Sequence, residues 1–252
     1  MKNNLIIEDW GRIGFEEAWK LQTRHQQALI ERKRNAQSQN IKREAGNHFL
    51  IFCEHPHVYT IGKTGSGDHL LVGDDYLRKH NIAYHHINRG GDITYHGPGQ
   101  LVIYPILDLE FFFRDLHRYI RLLEEMIIRT MADLGLEGYR RSGFTGVWTG
   151  PSANRKICAI GVHMSRWVSM HGLAFNVKPD LIHFDHIIPC GIKDKEKSVT
   201  SIAAESGEEP DMASVKSLVR NHFVNLFEID NYETKQNLRR IDDSDDAIDL
   251  AQ

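Results

Sequence analysis

Three blocks of this 252-residue chain hold side chains or backbone suited to covalent chemistry or to gripping a small molecule. Cys190 stands between Pro189 and Gly191, directly after Phe184-Asp185-His186-Ile187-Ile188. A proline fixes the approach of the chain and a glycine leaves space beside the sulfur, so Cys190 is the best nucleophile candidate. Cys53 and Cys158 lie inside apolar runs and read as core residues; any one cysteine taken alone is more often inert than catalytic. Lys156 opens the run Ile157-Cys158-Ala159-Ile160-Gly161, a place where a lysine is ordinarily a solvated edge residue. The third block is Arg89-Gly90-Gly91-Asp92-Ile93-Thr94-Tyr95-His96-Gly97-Pro98-Gly99-Gln100, with four glycines in twelve positions. Glycines admit a ligand close to the backbone and offer free N–H donors, although an ordinary turn before a strand has the same composition.

Fifteen histidines invite a metal reading. His55-Pro56-His57 and His85-His86 do not have the spacing of a helical zinc motif, and His163, His171, His183 and His186 are scattered. No metal is expected.

The elements that must position these blocks follow from periodicity. Phe15, Ala18, Leu21, Ala28 and Leu29 predict a helix over 14–34. Short apolar runs at 48–53 and 58–61 predict strands, and the glycine block feeds a strand at 101–109. Leu116, Ile120, Leu123 and Ile127 mark one face of a helix ending near Leu134-Gly135. Strands are expected at 146–148, 156–164 and 170–177. Pro210-Asp211 opens a last helix carrying Val215, Leu218, Val219, Phe223 and Leu226. Strands clustered between helices, without regular βαβ alternation, predict an α+β class with a mixed β-sheet flanked by helices. The expected organisation is a single catalytic domain over 1–228 and an acidic tail over 229–252, solvated or partly disordered, with seven Asp/Glu against three Lys/Arg.

Composition narrows the class. Hydrophobic residues make up 41% and charged residues 26%, an ordinary balance for a globular chain. A net charge of −3 does not favour nonspecific nucleic-acid binding. No run of 18 apolar residues suggests a spanning helix, and the apolar stretch near the N-terminus is too short for a signal peptide. No membrane partner is therefore expected. Three cysteines make no disulfide framework, which points to a reducing cytoplasm. The basic stretch 31–47, with five Lys/Arg, reads as a polar helix end and loop.

Arg-Gly-Gly, then Thr-Tyr-His, Gly-Pro-Gly-Gln and Leu-x-x-Tyr-Pro-Ile resembles the signature of the lipoyl(octanoyl) transferases. Four further blocks resemble the same family in the same order: residues 54–62, 156–162, 171–177 and 184–192. Together they span roughly residues 50–203. The resemblance implies the fold shared by biotin and lipoate protein ligases. It implies Cys190 as the acyl-thioester cysteine and Lys156 as its catalytic partner. It also implies substrate contacts from Arg89, Gly90, Gly91, Asp92, Ile93, Thr94, Tyr95, His96, Ala159, Ile160, Gly161, Gly172, Leu173 and Ala174. Lys63 stands where the family has arginine, and Cys158 where it usually has alanine.

The chemistry so implied is transfer of an octanoyl group from octanoyl-acyl carrier protein to a lysine of lipoyl domains, in protein lipoylation. The acceptors implied are the lipoyl domains of 2-oxoacid dehydrogenase complexes and the glycine cleavage H protein. No cofactor is needed, because a thioester is already activated. An unperturbed cysteine has a pKa near 8.5, and a neighbouring ammonium favours its thiolate. Burying eight carbons in a slot of small residues would yield several kcal/mol at about 0.8 kcal/mol per CH2. Two alternatives remain open: an ATP-dependent lipoate or biotin protein ligase, and a noncatalytic acyl-binding protein. Both expected protein partners are acidic in the family, so a basic rim is expected from Arg140, Arg141, Arg155, Lys193, Lys195 and Lys197.

Overall fold

A computed structural model describes residues 4–42, 46–188 and 198–236. The N-terminal apolar stretch is strand β1 (Asn4–Arg12), with Leu5, Ile6 and Ile7 buried on both of its faces. Helix α1 (Phe15–Ser38) carries Glu16 and Glu17 in its first turn, where a helix favours negative charge. It runs past the expected end at 34 because Ala36 still packs inward. Strand β2 (Asn47–Glu54) pairs parallel with β1.

A small sheet follows, made of β3 (Val58–Ile61), β4 (Ala83–His86) and β5 (Ile93–His96), in the order β4-β3-β5. The short helix α2 (Asp74–Lys79) lies between β3 and β4. The glycine block is thus not one loop. Residues 93–96 pair antiparallel with β3, and only the Arg89–Asp92 and Gly97–Gly99 stretches turn.

Strand β6 (Gln100–Ile106) is buried at every position, which is why its sequence from Leu101 onward is a continuous apolar run. Asp115 caps helix α3 (Leu116–Asp133) by accepting the Arg118 N–H at 2.9 Å. Four strands come next: β7 (Tyr139–Arg141), β8 (Phe144–Thr149), β9 (Arg155–Ser165) and β10 (Val168–Asn176). The described residues end with β11 (Ser198–Val199), α4 (Ile202–Ser206), α5 (Met212–Leu226) and β12 (Asn231–Gln236). Asp211 caps α5 as the sequence implies, taking the Ser214 N–H at 2.8 Å.

The large sheet runs β12-β1-β2-β6-β10-β9-β8-β7, with β11 added to β9. Period-2 alternation divides its two faces. Leu101, Ile103, Leu173 and Phe175 pack with Tyr119, Leu123 and Ile127 of α3 and Val219 and Phe223 of α5. Val102, Tyr104, Ile106 and Ala174 face Ala18, Leu29 and Ile30 of α1. The mixed sheet flanked by helices is the α+β architecture expected from the sequence.

The acidic stretch expected as a tail from 229 needs correction at its start. Asn231–Gln236 pair in parallel with β1, from Asn4↔Asn231 to Asp9↔Gln236. The edge strand was illegible because only Ile229 and Tyr232 are large apolar residues there. The rest of that stretch lies outside the described residues. Among the described residues, no helix is long and apolar enough to cross a membrane.

Phe223 is fully buried and stacks on Phe227 with ring centroids 4.4 Å apart. Phe223→Ala should cost about 3–5 kcal/mol, the range for emptying a buried aromatic site. Denaturant unfolding monitored by circular dichroism checks this, and a loss under ~1 kcal/mol would mean the α3–α5 layer is loosely packed.

Candidate functional site

Strands β9 and β10 are paired so that small residues meet: Ala159 opposite Ala174 and Gly161 opposite Gly172. On the adjacent strand Val102 lies opposite Ala174, and Gln100 opposite Asn176. Small side chains on one face of a sheet leave a trough. The small sheet and the loop at residues 89–92 roof it. The result is a cavity of about 450 Å³, a size that suits a small organic ligand.

The roof is held down by Arg89, which is 8% exposed. Its Nη2 donates to the Thr60 carbonyl at 2.6 Å and to Thr60 Oγ1 at 3.0 Å, and its Nη1 donates to the Gly90 carbonyl at 3.1 Å. Gly90 N–H donates to the Val162 carbonyl at 3.0 Å, so the loop is stitched to β9. Two glycines permit this approach. A Cβ at Gly161 would come within 2.8 Å of the Gly90 carbonyl oxygen, and one at Gly62 within 2.2 Å of that of Gly91. Asp92 accepts the Ile93 N–H at 2.7 Å and is paired with His69 Nδ1 at 2.5 Å.

Lys156 lines the cavity and is 8% exposed. Its Nζ sits 4.7 Å from the centre of the fully buried Trp148 ring, a cation–π contact that keeps the charged end oriented. β11 runs parallel to the start of β9, with Val199 opposite Lys156 and the Thr200 N–H on the Lys156 carbonyl at 2.9 Å. Phe184 and Val199 both line the cavity. Cys190 falls between these two and lies outside the described residues, as do Lys193, Lys195 and Lys197.

Of the other residues singled out from sequence, the cavity wall includes Arg89, Gly90, Gly91, Asp92, Ile93, Thr94 and His96. It also includes Ala159, Ile160, Gly161, Gly172, Leu173 and Ala174. Tyr95 does not line it. Alternation in β5 turns this side chain the other way, where Tyr95 Oη and His57 Nδ1 share a hydrogen bond at 2.7 Å and the ring stacks on His183. The sequence reading missed Phe15, Gln100, Val102, Tyr104 and Asn176 in the wall. Gln100, Val102 and Tyr104 were within reach, because a period of two from Gln100 puts all three on one face. Phe15 had no local signal, being brought there only by the packing of α1.

A directed hydrogen-bond chain crosses the floor. Asn176 Nδ2 donates to the Thr200 carbonyl at 2.9 Å, so its Oδ1 is free to accept from Gln100 Nε2 at 2.9 Å. Gln100 Nε2 also donates to the Tyr95 carbonyl at 3.1 Å. Gln100 Oε1 must then accept, and at 2.7 Å its donor is His96 Nδ1. His96 is therefore the Nδ1–H tautomer, with the Nε2 lone pair left toward Thr60 Oγ1 at 3.5 Å.

The cavity histidines are neutral. Burial, aided by the nearby positive Arg89, pulls His96 and His171 down to about 3. Burial alone outweighs the Ile13 carbonyl and brings His55 down to about 4. Burial pushes the Cys158 thiol up against the pull of Lys156, and it pushes the Cys53 thiol up as well. Both stay protonated at neutral pH, consistent with core roles. Among the described residues, no cluster of His, Cys, Asp or Glu is arranged to hold a metal ion.

The expected basic rim does not form as imagined on its described side. Arg155 makes a two-pronged pair with Glu205, with both N–O distances 2.7 Å. Arg140 donates to Glu125 at 2.6 Å and lies 3.3 Å from Glu124. Arg141 donates to the Ala153 carbonyl at 2.9 Å and lies over Phe144 and Trp148. Two of the three arginines are thus spent on neighbouring carboxylates, partners that sequence spacing could not show.

Residues 24–224 match the lipoyl protein ligase A/B catalytic domain. The solved structure of lipoate-protein ligase A bound with ATP superposes with a TM-score of 0.69 at 15% identity, covering 94% of this chain and 90% of that one. A bipartite lipoate protein ligase from Thermoplasma acidophilum gives 0.68 at 18% identity, covering 94% and 88%. These likenesses establish the fold. The octanoyltransferase of Cytophaga hutchinsonii is 50% identical over 230 residues, 90% of this chain and 93% of that protein. That of Flavobacterium johnsoniae is 49% identical over 90% of this chain and 98% of its own length. The chain belongs to the lipoyl protein ligase A/B catalytic-domain family and, within it, to the octanoyltransferases.

Neutral buried histidines set the acid limit of stability. Each binds a proton in the unfolded chain near pH 6.5 but not in the folded one until about pH 3 or 4. Stability should therefore fall as pH drops from 6.5 toward 4, by roughly 1.4 kcal/mol per pH unit for each of His55, His96 and His171. Urea unfolding at pH 7, 6 and 5 measures this slope. His96→Gln should lower it by about one histidine's share, and an unchanged slope would mean that His96 is protonated in the folded protein.

Proposed function

We propose that this chain transfers an octanoyl group from octanoyl-acyl carrier protein to the ε-amine of a lysine on lipoyl domains, through a thioester on Cys190. The carrying observation is the cavity itself. A trough of Ala159, Gly161, Gly172 and Ala174 suits a straight acyl chain, and Lys156 stands in its wall beside β11. Identity of 45–50% to octanoyltransferases over most of the chain supports the same acyl group.

In this reading the Cys190 thiolate attacks the donor's thioester carbonyl and forms a tetrahedral oxyanion. The carbon–sulfur bond to the carrier breaks, and the departing thiolate takes a proton. The acceptor lysine amine then attacks the Cys190 thioester, loses a proton, and expels the cysteine thiolate, leaving an octanoyl amide. Lys156 has two tasks: its ammonium favours the thiolate, and it carries protons to the leaving thiol and from the incoming amine. Phe184 and Val199, which flank Cys190 in sequence, both line the cavity that holds Lys156, and this supports the pairing.

The donor arrives already activated, so no nucleotide or metal is required. The acceptors in this reading are lipoyl domains of 2-oxoacid dehydrogenase complexes and the glycine cleavage H protein, met in the cytoplasm. The catalytic unit comprises residues 1–228, with the β12 strand as an edge addition.

Intact-protein mass spectrometry with octanoyl carrier protein and no ATP tests this. The wild-type chain should gain one octanoyl mass and pass it to a lipoyl domain. Cys190→Ser should end turnover, and Lys156→Ala should slow transfer by roughly 100-fold or more, a general acid–base scale. Normal transfer by Cys190→Ser, or a strict requirement for ATP, would overturn the reading in favour of a ligase.

A further inference from the structure

We infer that Tyr104 and His171 form a fixed end wall that measures the acyl chain, making them specificity-determining residues for an eight-carbon substrate. The inference rests on the acyl-transfer reading above and concerns the far end of the same trough. Lys156 and Asn176 mark one end of the cavity wall. From there the small-residue face passes Ala174 opposite Ala159, then Gly172 opposite Gly161. Tyr104 lies two residues beyond Val102 on the same face of β6, and His171 directly follows the small pair. From Asn176 to Gly172 is four residues, about 13 Å of strand. An extended octanoyl chain spans roughly 9 Å over seven zigzag C–C bonds of about 1.5 Å. With its carbonyl at the Asn176 end and about 4 Å of van der Waals contact beyond its last carbon, such a chain would fill about 13 Å and meet Tyr104 and His171 at the level of Gly172.

Both residues are buried, as is Phe15, which lines the same cavity, so the trough ends in protein rather than in solvent. The wall is also stiff. Tyr104 Oη donates to His55 Nε2 at 2.7 Å, and His55 Nδ1 donates to the Ile13 carbonyl at 2.8 Å. His171 Nε2 donates to Asn88 Oδ1 at 2.8 Å, and its backbone N–H donates to Gln22 Oε1 at 3.0 Å. A longer chain gains nothing there unless these buried hydrogen bonds break, because methylenes profit only against apolar wall.

The second observation is the backbone of His171, held at φ +59° inside a strand. It is the one non-glycine residue of the described cavity wall with a positive φ. Such a conformation persists only where the surroundings impose it, and it tends to occur where a side chain must be aimed. In this reading it aims the imidazole, held by Asn88, at the end of the trough.

The same backbone makes the test clean, since glycine adopts φ +59° without strain. Hexanoyl, octanoyl and decanoyl pantetheine thioesters would be compared by kcat/KM in wild type, His171→Gly, Tyr104→Leu and Ala174→Val. Thermal unfolding would confirm that each variant is folded. Opening the wall with His171→Gly or Tyr104→Leu should raise the decanoyl-to-octanoyl ratio at least 10-fold. Narrowing the middle with Ala174→Val should shift preference toward hexanoyl, and this arm stands even if an opened variant unfolds. An unchanged ratio in folded His171→Gly, or no shift in Ala174→Val, would overturn the end wall while leaving acyl transfer intact. Failure of the wild type to transfer any acyl group would instead remove the reading on which the wall rests.

Discussion

The site depends on one buried cation. Arg89 is inserted between the two sheets and donates to both oxygens of Thr60, while the next peptide reaches across to Val162 on β9. A guanidinium there is costly to bury, and it is tolerated because its donors find carbonyl and hydroxyl oxygens in a fixed fork. Removing it would deprive the Thr60 oxygens and the Gly90 carbonyl of their charged donor and loosen the roof of the trough. The glycines at 62 and 161 are the geometric counterpart of this clamp. They allow backbone to lie on backbone where any Cβ would intrude.

A positive charge in a dry place propagates its effects. Burial keeps the histidines around Arg89 from taking protons, and its charge adds to that effect, so His96 and His171 serve as neutral hydrogen-bonding groups. Neutrality fixes tautomers, and tautomers fix direction. His96 must donate to Gln100, which must donate to Asn176, which must donate to Thr200. The chain of donors thus links the roof strand β5 to the segment that leads from Cys190 back toward Lys156. The floor is rigid without carrying net charge, which suits a slot for an uncharged alkyl chain.

The sequence disclosed most of what depends on local pattern. Helices α3 and α5 were legible from their apolar faces and caps, and the core strands from their apolar runs. The glycine block was read as a unit because its composition is distinctive, yet the pairing of Ile93–His96 with β3 divides it and turns Tyr95 out of the cavity. What stayed hidden depends on long-range packing. β12 is held by β1, and β1 by β12 and β2, and neither carries a strong alternation of its own. Phe15 reaches the cavity because α1 crosses the sheet. Arg140 and Arg155 find their carboxylates on other elements, so a count of local charge overstated the free positive rim.

The fold is shared with ATP-bound lipoate-protein ligase A, so the architecture by itself does not dictate how the acyl group is activated. What a transferase needs in addition is small: a nucleophile, a proton carrier beside it, and a dry place for the chain. Lys156 is held over Trp148 within the cavity wall, and the segment that follows Cys190 returns alongside it as β11. A ligase must add room and charge for a nucleotide. A transferase can instead seal its trough, because its substrate brings the activation energy in the thioester. Buried Tyr104 and His171, in the same cavity wall as Lys156, are compatible with the second economy of parts.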